Sequence, residues 1–145
     1  MGGSKDLVAY CGLYCGDCPG YKGEIADLAR DLKKKLREEK FDRAAKWLSE
    51  AVKPFKKYED FAEVLGAMVT LRCRSQCRER SASTSCEVRK CCQKKSLAGC
   101  WECEEFETCQ KFDFLKPVHE DAPLKNLRKI KKQGLDKFIE GKRYW

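Results

Sequence analysis

Eleven cysteines in 145 residues restrict this chain more than any other feature of its sequence. So many sulfurs belong either to a disulfide framework or to thiolate sites for metal, and the compartment decides between them. The opening residues Met1-Gly2-Gly3-Ser4-Lys5-Asp6 hold no apolar run of signal-peptide length, and Gly2-Gly3-Ser4 reads as an appended linker. No stretch approaches the ~18 consecutive apolar residues of a membrane span. The expectation is a cytoplasmic, reduced chain with no membrane contact, whose cysteines act as ligands, nucleophiles or small buried residues. An odd total also fits complete pairing poorly. With cysteine set aside, only about a third of the chain is apolar while 37% is charged, a thin core for one domain of this length. A metal staple would make up that shortage.

The spacing of the cysteines points the same way. They fall as Cys11-x3-Cys15-x2-Cys18, Cys73-x3-Cys77, Cys86-x4-Cys91 and Cys100-x2-Cys103-x5-Cys109. A Cys-x2-Cys turn aims two thiolates at one tetrahedral ion without strain, and nearby glycines let the backbone approach the sulfurs. Cys11, Cys15 and Cys18 need a fourth ligand, for which Cys73 and Cys77 are the nearest in sequence. A second site is expected from Cys86, Cys91, Cys100, Cys103 and Cys109, whereas Cys92, next to Cys91, is expected to be a buried small residue. The segment 73–95 carries a net charge of +5, and Arg74, Arg78, Arg89 and Lys90 would offset the negative charge of a four-thiolate site.

Zinc is the leading ion, since tetrahedral thiolate zinc is the usual structural solution in a thin-cored domain. A 4Fe-4S cluster is the alternative. Cys-x3-Cys-x2-Cys is the spacing by which radical S-adenosylmethionine enzymes hold such a cluster, and Pro19 after Cys18 is common beside cluster ligands. That enzyme class needs a partial β/α barrel, which this chain has neither the length nor the alternating pattern to form.

Four parts follow in order: an N-terminal knuckle over 9–21, a helical part over 22–72, the cysteine-rich part over 73–113 and basic C-terminal helices over 121–143. Ile25, Leu28, Leu32 and Leu36 recur at helical spacing, which predicts an amphipathic helix over 24–39. A second is predicted from an N-cap near Asp42, with Ala45, Leu48 and Val52 inward and Pro54 ending it. A third runs over 58–71 with Phe61, Val64, Leu65, Met68 and Val69 inward, so both stripes are expected to form core. Residues 86–95 predict a short helix and 98–103 a turn. Asp121-Ala122-Pro123 predicts a helix start, with Gly134 as its stop and a last short helix over 135–141. The pattern predicts one all-α domain over 1–145, small and irregular, with cysteine-rich metal-binding knuckles.

Other residues carry weaker signals. His119, the single histidine, reads as a surface or capping residue sooner than as a ligand or base. The basic tail, residues 125–143 followed by Tyr144 and Trp145, would suit RNA, DNA or an acidic partner, although a solvated helix face explains it more simply. Glu102, Glu104, Glu105 and Glu107 read as polar turn residues.

The segments Tyr10-Cys11-Gly12-Leu13-Tyr14-Cys15-Gly16-Asp17-Cys18-Pro19, Val88-Arg89-Lys90-Cys91 and Gly99-Cys100-Trp101-Glu102-Cys103-Glu104-Glu105-Phe106 resemble those of a family of uncharacterised cysteine-rich bacterial and archaeal proteins. The resemblance implies a cytoplasmic protein that binds zinc or another thiophilic metal, with no established reaction. Family members carry a Cys-x-Gly-Cys pair where this chain has Cys73-Arg74-Ser75-Gln76-Cys77. A zinc-stabilised interaction or adaptor protein, engaging a protein partner, is the leading function. An iron–sulfur protein and an enzyme with an open metal position or a free thiol stand behind it. No residue is marked as catalytic.

Overall fold

The computed structural model describes residues 4–80 and 85–145, so Gly2 and Gly3 of the expected linker lie outside the described residues. Among the described residues seven α-helices follow one another: α1 (Pro19–Lys22), α2 (Glu24–Glu38), α3 (Phe41–Leu48), α4 (Tyr58–Val69), α5 (Glu87–Lys94), α6 (Lys116–His119) and α7 (Ala122–Glu140). Tight 3-10 turns connect many of them, and Val8 and Tyr14 form an isolated antiparallel bridge. The architecture is all-α. It divides into two compact units, Met1–Tyr21 with Arg74–Trp145, and Lys22–Cys73.

In the Lys22–Cys73 unit, α2 packs along α4, while α3 and the 3-10 turn Lys53–Lys57 close one end. Acidic residues in its first turn (Glu24, Asp27) and basic ones in its last (Lys35, Arg37) suit α2 to its own dipole. Lys35–Glu39 at 2.7 Å and Lys34–Glu38 at 3.8 Å add surface pairs. Arg72 ties the end of the unit to its start, pairing with Asp27 at 2.6 Å and donating to the Gly23 carbonyl at 3.2 Å. Helix α3 begins at Phe41 behind a left-handed Lys40, and Asp42 sits in its first turn without acting as the cap.

The expected core stripes face a core only in part: Ala45 and Leu65 are buried as expected and Leu36, Leu48, Met68 and Val69 are half-buried, but other members are exposed. Ile25, Leu28 and Leu32 on α2 are 44%, 70% and 45% exposed, and Phe61 and Val64 on α4 are 44% and 59% exposed. Val52, also expected inward, is exposed. The buried side chains are Ala26, Ala29, Ala45 and Leu65, so α2 and α3 bury alanines, α4 buries a leucine, and several other large side chains turn outward. The periodicity identifies a helix correctly but cannot say which of two adjacent lines meets the neighbour.

The other unit is organised by α7. Leu127 belongs to a core with Val88, Cys92, Cys100, Phe106 and Phe112, while Ile130, Phe138 and Ile139 pack with Val8 and Tyr14. Between the two groups Gly134 adopts φ 83°, breaking the helix and re-aiming its last turns, as its place in the sequence predicts. Asp121 precedes α7 but pairs with Lys125 at 3.0 Å instead of capping the helix. The fully buried Asn126 is satisfied by the chain end: it donates to the Tyr144 carbonyl at 2.8 Å and accepts from the Tyr144 N–H at 2.9 Å.

Truncating Leu65 should cost about 2–5 kcal/mol by opening a cavity, whereas Leu28→Ala should change stability by no more than about 0.5 kcal/mol. Denaturant titration of the two variants checks this, and an equal loss in both would contradict the outward face.

Candidate metal centre

Two turns of the same construction present the cysteines. In the first, the Ala9 N–H donates to the Leu13 carbonyl at 2.8 Å and the Gly12 N–H to the Ala9 carbonyl at 2.9 Å, reversing the chain around Cys11. Gly12 has φ +85°, and a side chain there would meet Leu127 carbons at 3.0 Å, so only glycine allows this close approach. The Cys18 N–H then donates to the Cys15 carbonyl at 3.0 Å, closing a 3-10 turn. In the second, the Cys103 N–H donates to the Cys100 carbonyl, also at 3.0 Å, and the Glu102 carboxylate accepts from the Ala98 N–H at 2.7 Å. The two turns are bonded directly, because the Cys100 N–H donates to the Tyr10 carbonyl at 2.9 Å.

Arginines brace this joint. Arg78 lies over the rings of Tyr10 and Trp101, 4.4 Å and 5.6 Å from their centroids, and donates to the Val8 and Ala98 carbonyls at 2.6 Å each. One residue thus holds both turns through cation–π contacts and charge-assisted bonds. The buried Arg89 donates to the Cys77 carbonyl at 3.0 Å. From the chain end, Arg143 pairs with Asp17 at 2.6 Å and 2.9 Å and covers the Tyr14 ring at 4.5 Å.

All eleven cysteines are free thiols. Around the first turn, the Cys77 N–H points at the Cys15 sulfur, 3.5 Å away. The Cys77 thiol donates there as well, and together these bonds hold Cys15 down to about 6 against the opposing effect of burial, with Arg80 and Arg78 assisting. That donation and burial push Cys77 upward. Burial pushes the Cys11 thiol up to about 12, and the neighbouring Cys86 and Cys15 add to the shift. Cys11, Cys15, Cys77 and Cys86 are thus electrostatic neighbours, with Cys15 and Cys77 in hydrogen-bond contact.

Around the second turn, Cys92 and Cys100 touch through their sulfurs at 3.4 Å. Their hydrogen bond lowers Cys92, and it raises Cys100 together with burial. With Cys91, Cys103 and Cys109 they line a cavity of about 70 Å³, walled elsewhere by Val88, Leu97, Phe106 and Phe112. The Lys95 ammonium is raised, chiefly by Cys103 and Cys91 and then by Glu105.

Cys86 neighbours Cys11 of the N-terminal knuckle, and both also pack, with Cys109, against the core that holds Cys92 and Cys100. Cys92 is buried as expected, at 1% exposure, and also lines the cavity. Cys18 is half-buried and closes its turn through its backbone, and Cys73 ends the Lys22–Cys73 unit. The donor set, soft sulfur with guanidinium groups nearby, has the chemistry a thiophilic metal takes. Its spacing does not form a closed single-ion site: among the described residues no three Cys, His, Asp or Glu side chains are grouped to hold one ion. Arg78 was hidden from sequence reasoning in one respect, since its bracing role depends on two aromatic rings distant in the chain.

Residues 7–114 match the family described as "Protein of unknown function (DUF3795)". The chain belongs to the DUF3795 family. No curated protein and no solved structure matches it. The DUF3795 match takes in both cysteine turns and ends before α7, so the Leu127 contact and the Arg143 clamp come from outside the matched residues. No helix among the described residues is long and apolar enough to cross a membrane.

His119 stacks edge-on against Trp145, with ring centroids 4.7 Å apart, and its buried Nδ1 has no hydrogen-bond partner. Burial holds its pKa below the ordinary 6.5. The fold disfavours the charged imidazole, so this contribution to stability is complete above about pH 6.5 and is lost as pH falls from there through the folded midpoint. The single histidine resonance in a proton NMR titration should have its midpoint below 6.5 and move back toward that value in Trp145→Ala. A midpoint above 6.5 would contradict the burial.

Proposed function

We propose that this DUF3795 chain is a thiolate metalloprotein in which bound metal supplies part of the folding free energy that its small core does not. What carries the reading is convergence: reduced cysteines far apart in the chain are gathered beside two turns that are hydrogen-bonded to each other. Zinc suits the first group, with Cys11, Cys15, Cys77 and Cys86 as its four ligands. Ligation draws these sulfurs together around one tetrahedral ion, and each thiol releases its proton to solvent as it binds. Arg78 and Arg80, already favouring the Cys15 thiolate, offset the negative charge of the filled site.

The biological role in this reading is interaction with a protein partner. Its support is the outward apolar face of α2 and α4, which is larger than isolated surface aliphatics require. The basic tail gives less support to nucleic acid, because Arg128 pairs with Glu107 at 2.8 Å, Lys5 with Asp136 at 2.8 Å, and Arg143 and Lys125 with Asp17 and Asp121. Three of the eight tail cations thus serve the fold.

Elemental analysis of the purified chain, followed by chelation monitored by circular dichroism, tests the metal role. Metal should be present as isolated, and its removal should sharply lower the melting temperature, since thiolate zinc contributes on the order of 10 kcal/mol in small domains. A metal-free preparation that melts at the same temperature with and without chelator would refute it.

A further inference from the structure

We infer that the second thiol group binds a polynuclear iron–sulfur cluster, with Cys91, Cys100, Cys103 and Cys109 as ligands. This rests on the thiolate-metal reading above and adds a site of different chemistry to it.

The argument begins with the space between the sulfurs. Four thiolates on one zinc ion, each about 2.3 Å from it, touch one another and leave no void. Here five cysteines line a cavity of about 70 Å³, several times the ~10–15 Å³ that admits a water molecule. Among the described residues no three donors are grouped for a single ion, yet five sulfurs face one enclosure. Wide spacing around a shared void is what a multi-atom inorganic core requires, since each thiolate then binds its own iron at a corner.

The wall chemistry agrees. Val88, Phe106 and Phe112 are buried at 2–4% exposure and form an apolar wall that would shield a cluster from water on that side, while the exposed Lys95, Glu105 and Lys111 line the rest. The donors available are all thiolates except Glu105, which Lys95 engages at 3.5 Å. Lys95 also lies near Cys103 and Cys91, where it offsets the net negative charge of a four-thiolate cluster.

The fifth sulfur has a separate part. Cys92 and Cys100 are in contact at 3.4 Å, too close to serve two different corners, so the pair supplies one ligand and one hydrogen-bond donor. Cys100 shares its turn with Cys103, whose N–H bonds the Cys100 carbonyl, and the turn aims both sulfurs together. Ligation leaves the Cys100 thiolate without a proton, so within the 3.4 Å pair Cys92, adjacent to the ligand Cys91, becomes the donor, the reverse of the direction in the metal-free chain; sulfur-directed hydrogen bonds of this kind tune such clusters.

Anaerobic treatment of the full chain with ferric iron, inorganic sulfide and a thiol that reduces part of the iron, followed by desalting and assay of iron, sulfide and zinc, is decisive. The expected product is brown, retains iron and acid-labile sulfide in a one-to-one ratio, and loses both in Cys103→Ser and Cys109→Ser. Cys73→Ser, which removes a thiol of the Lys22–Cys73 unit that belongs to neither group, should keep them and controls for unspecific loss of metal, and Cys92→Ala should keep the stoichiometry while shifting the visible spectrum. A colourless chain with two zinc ions and no sulfide would overturn the cluster but leave the thiolate-metal reading standing. A chain that retains neither iron nor zinc would overturn both. Retention of the cluster in Cys103→Ser, or its loss in Cys92→Ala alone, would overturn the ligand assignment.

Discussion

The hydrogen bond from the Cys100 N–H to the Tyr10 carbonyl, 2.9 Å long, joins two cysteine turns that lie far apart in the chain. Without it, each turn would be a short loop with two sulfurs and no partner, because a Cys-x2-Cys turn supplies at most half of a tetrahedral site. Arg78 reinforces the joint from both sides, with its guanidinium between Tyr10 and Trp101 and its donors on carbonyls of each strand of the joint. A single net hydrogen bond is worth only about 1 kcal/mol, so the joint depends on this charge-assisted clamp and on the core beneath it. Metal ligation would then act on sulfurs already brought into neighbouring positions, which lowers the entropy that binding must overcome.

That core is small and is held from outside the matched family segment. Leu127 of α7 fills the space left by Gly12, and the absence of a Cβ at Gly12 is what lets the helix backbone approach the Cys11 turn. Farther along, the break at Gly134 brings Phe138 and Ile139 against Val8 and Tyr14. Arg143 then reaches Asp17 in the first turn, and Asn126 binds the backbone of Tyr144. The C-terminal segment thus acts as a brace across the cysteine turns. Of the eight cations that make it look like a nucleic-acid tail in sequence, Lys125, Arg128 and Arg143 are engaged with carboxylates of the fold.

Much of the fold was legible in the sequence because its signals are local. Helix α2, the helix over 86–95, the turn over 98–103 and the break at Gly134 all follow from periodicity, glycine and proline placement. The direction of the apolar stripes was not legible. Ile25, Leu28 and Leu32 mark one face of α2, but the alanine line beside it makes the contact, and alanine carries no strong pattern of its own. The candidate centre was legible as a set of cysteines and illegible as a partition. Spacing groups Cys86 with Cys91, but it does not reveal that Cys86 lies beside Cys11, nor that both pack against the core of Cys92 and Cys100 while Cys91 lines the cavity. Cys18 and Cys73 illustrate the same limit, since proximity in sequence does not decide which sulfur completes a group.

Thiols converging around shared metal remain the central claim, and the ligand shell of that metal is its most direct observable. X-ray absorption at the metal edge of the chain, purified without oxygen, reads the shell without reference to stability or colour. An all-sulfur shell of about four scatterers at about 2.3 Å is the result expected for thiolate ligation. A shell of nitrogen and oxygen, or no bound metal together with sulfurs oxidised in pairs, would contradict it.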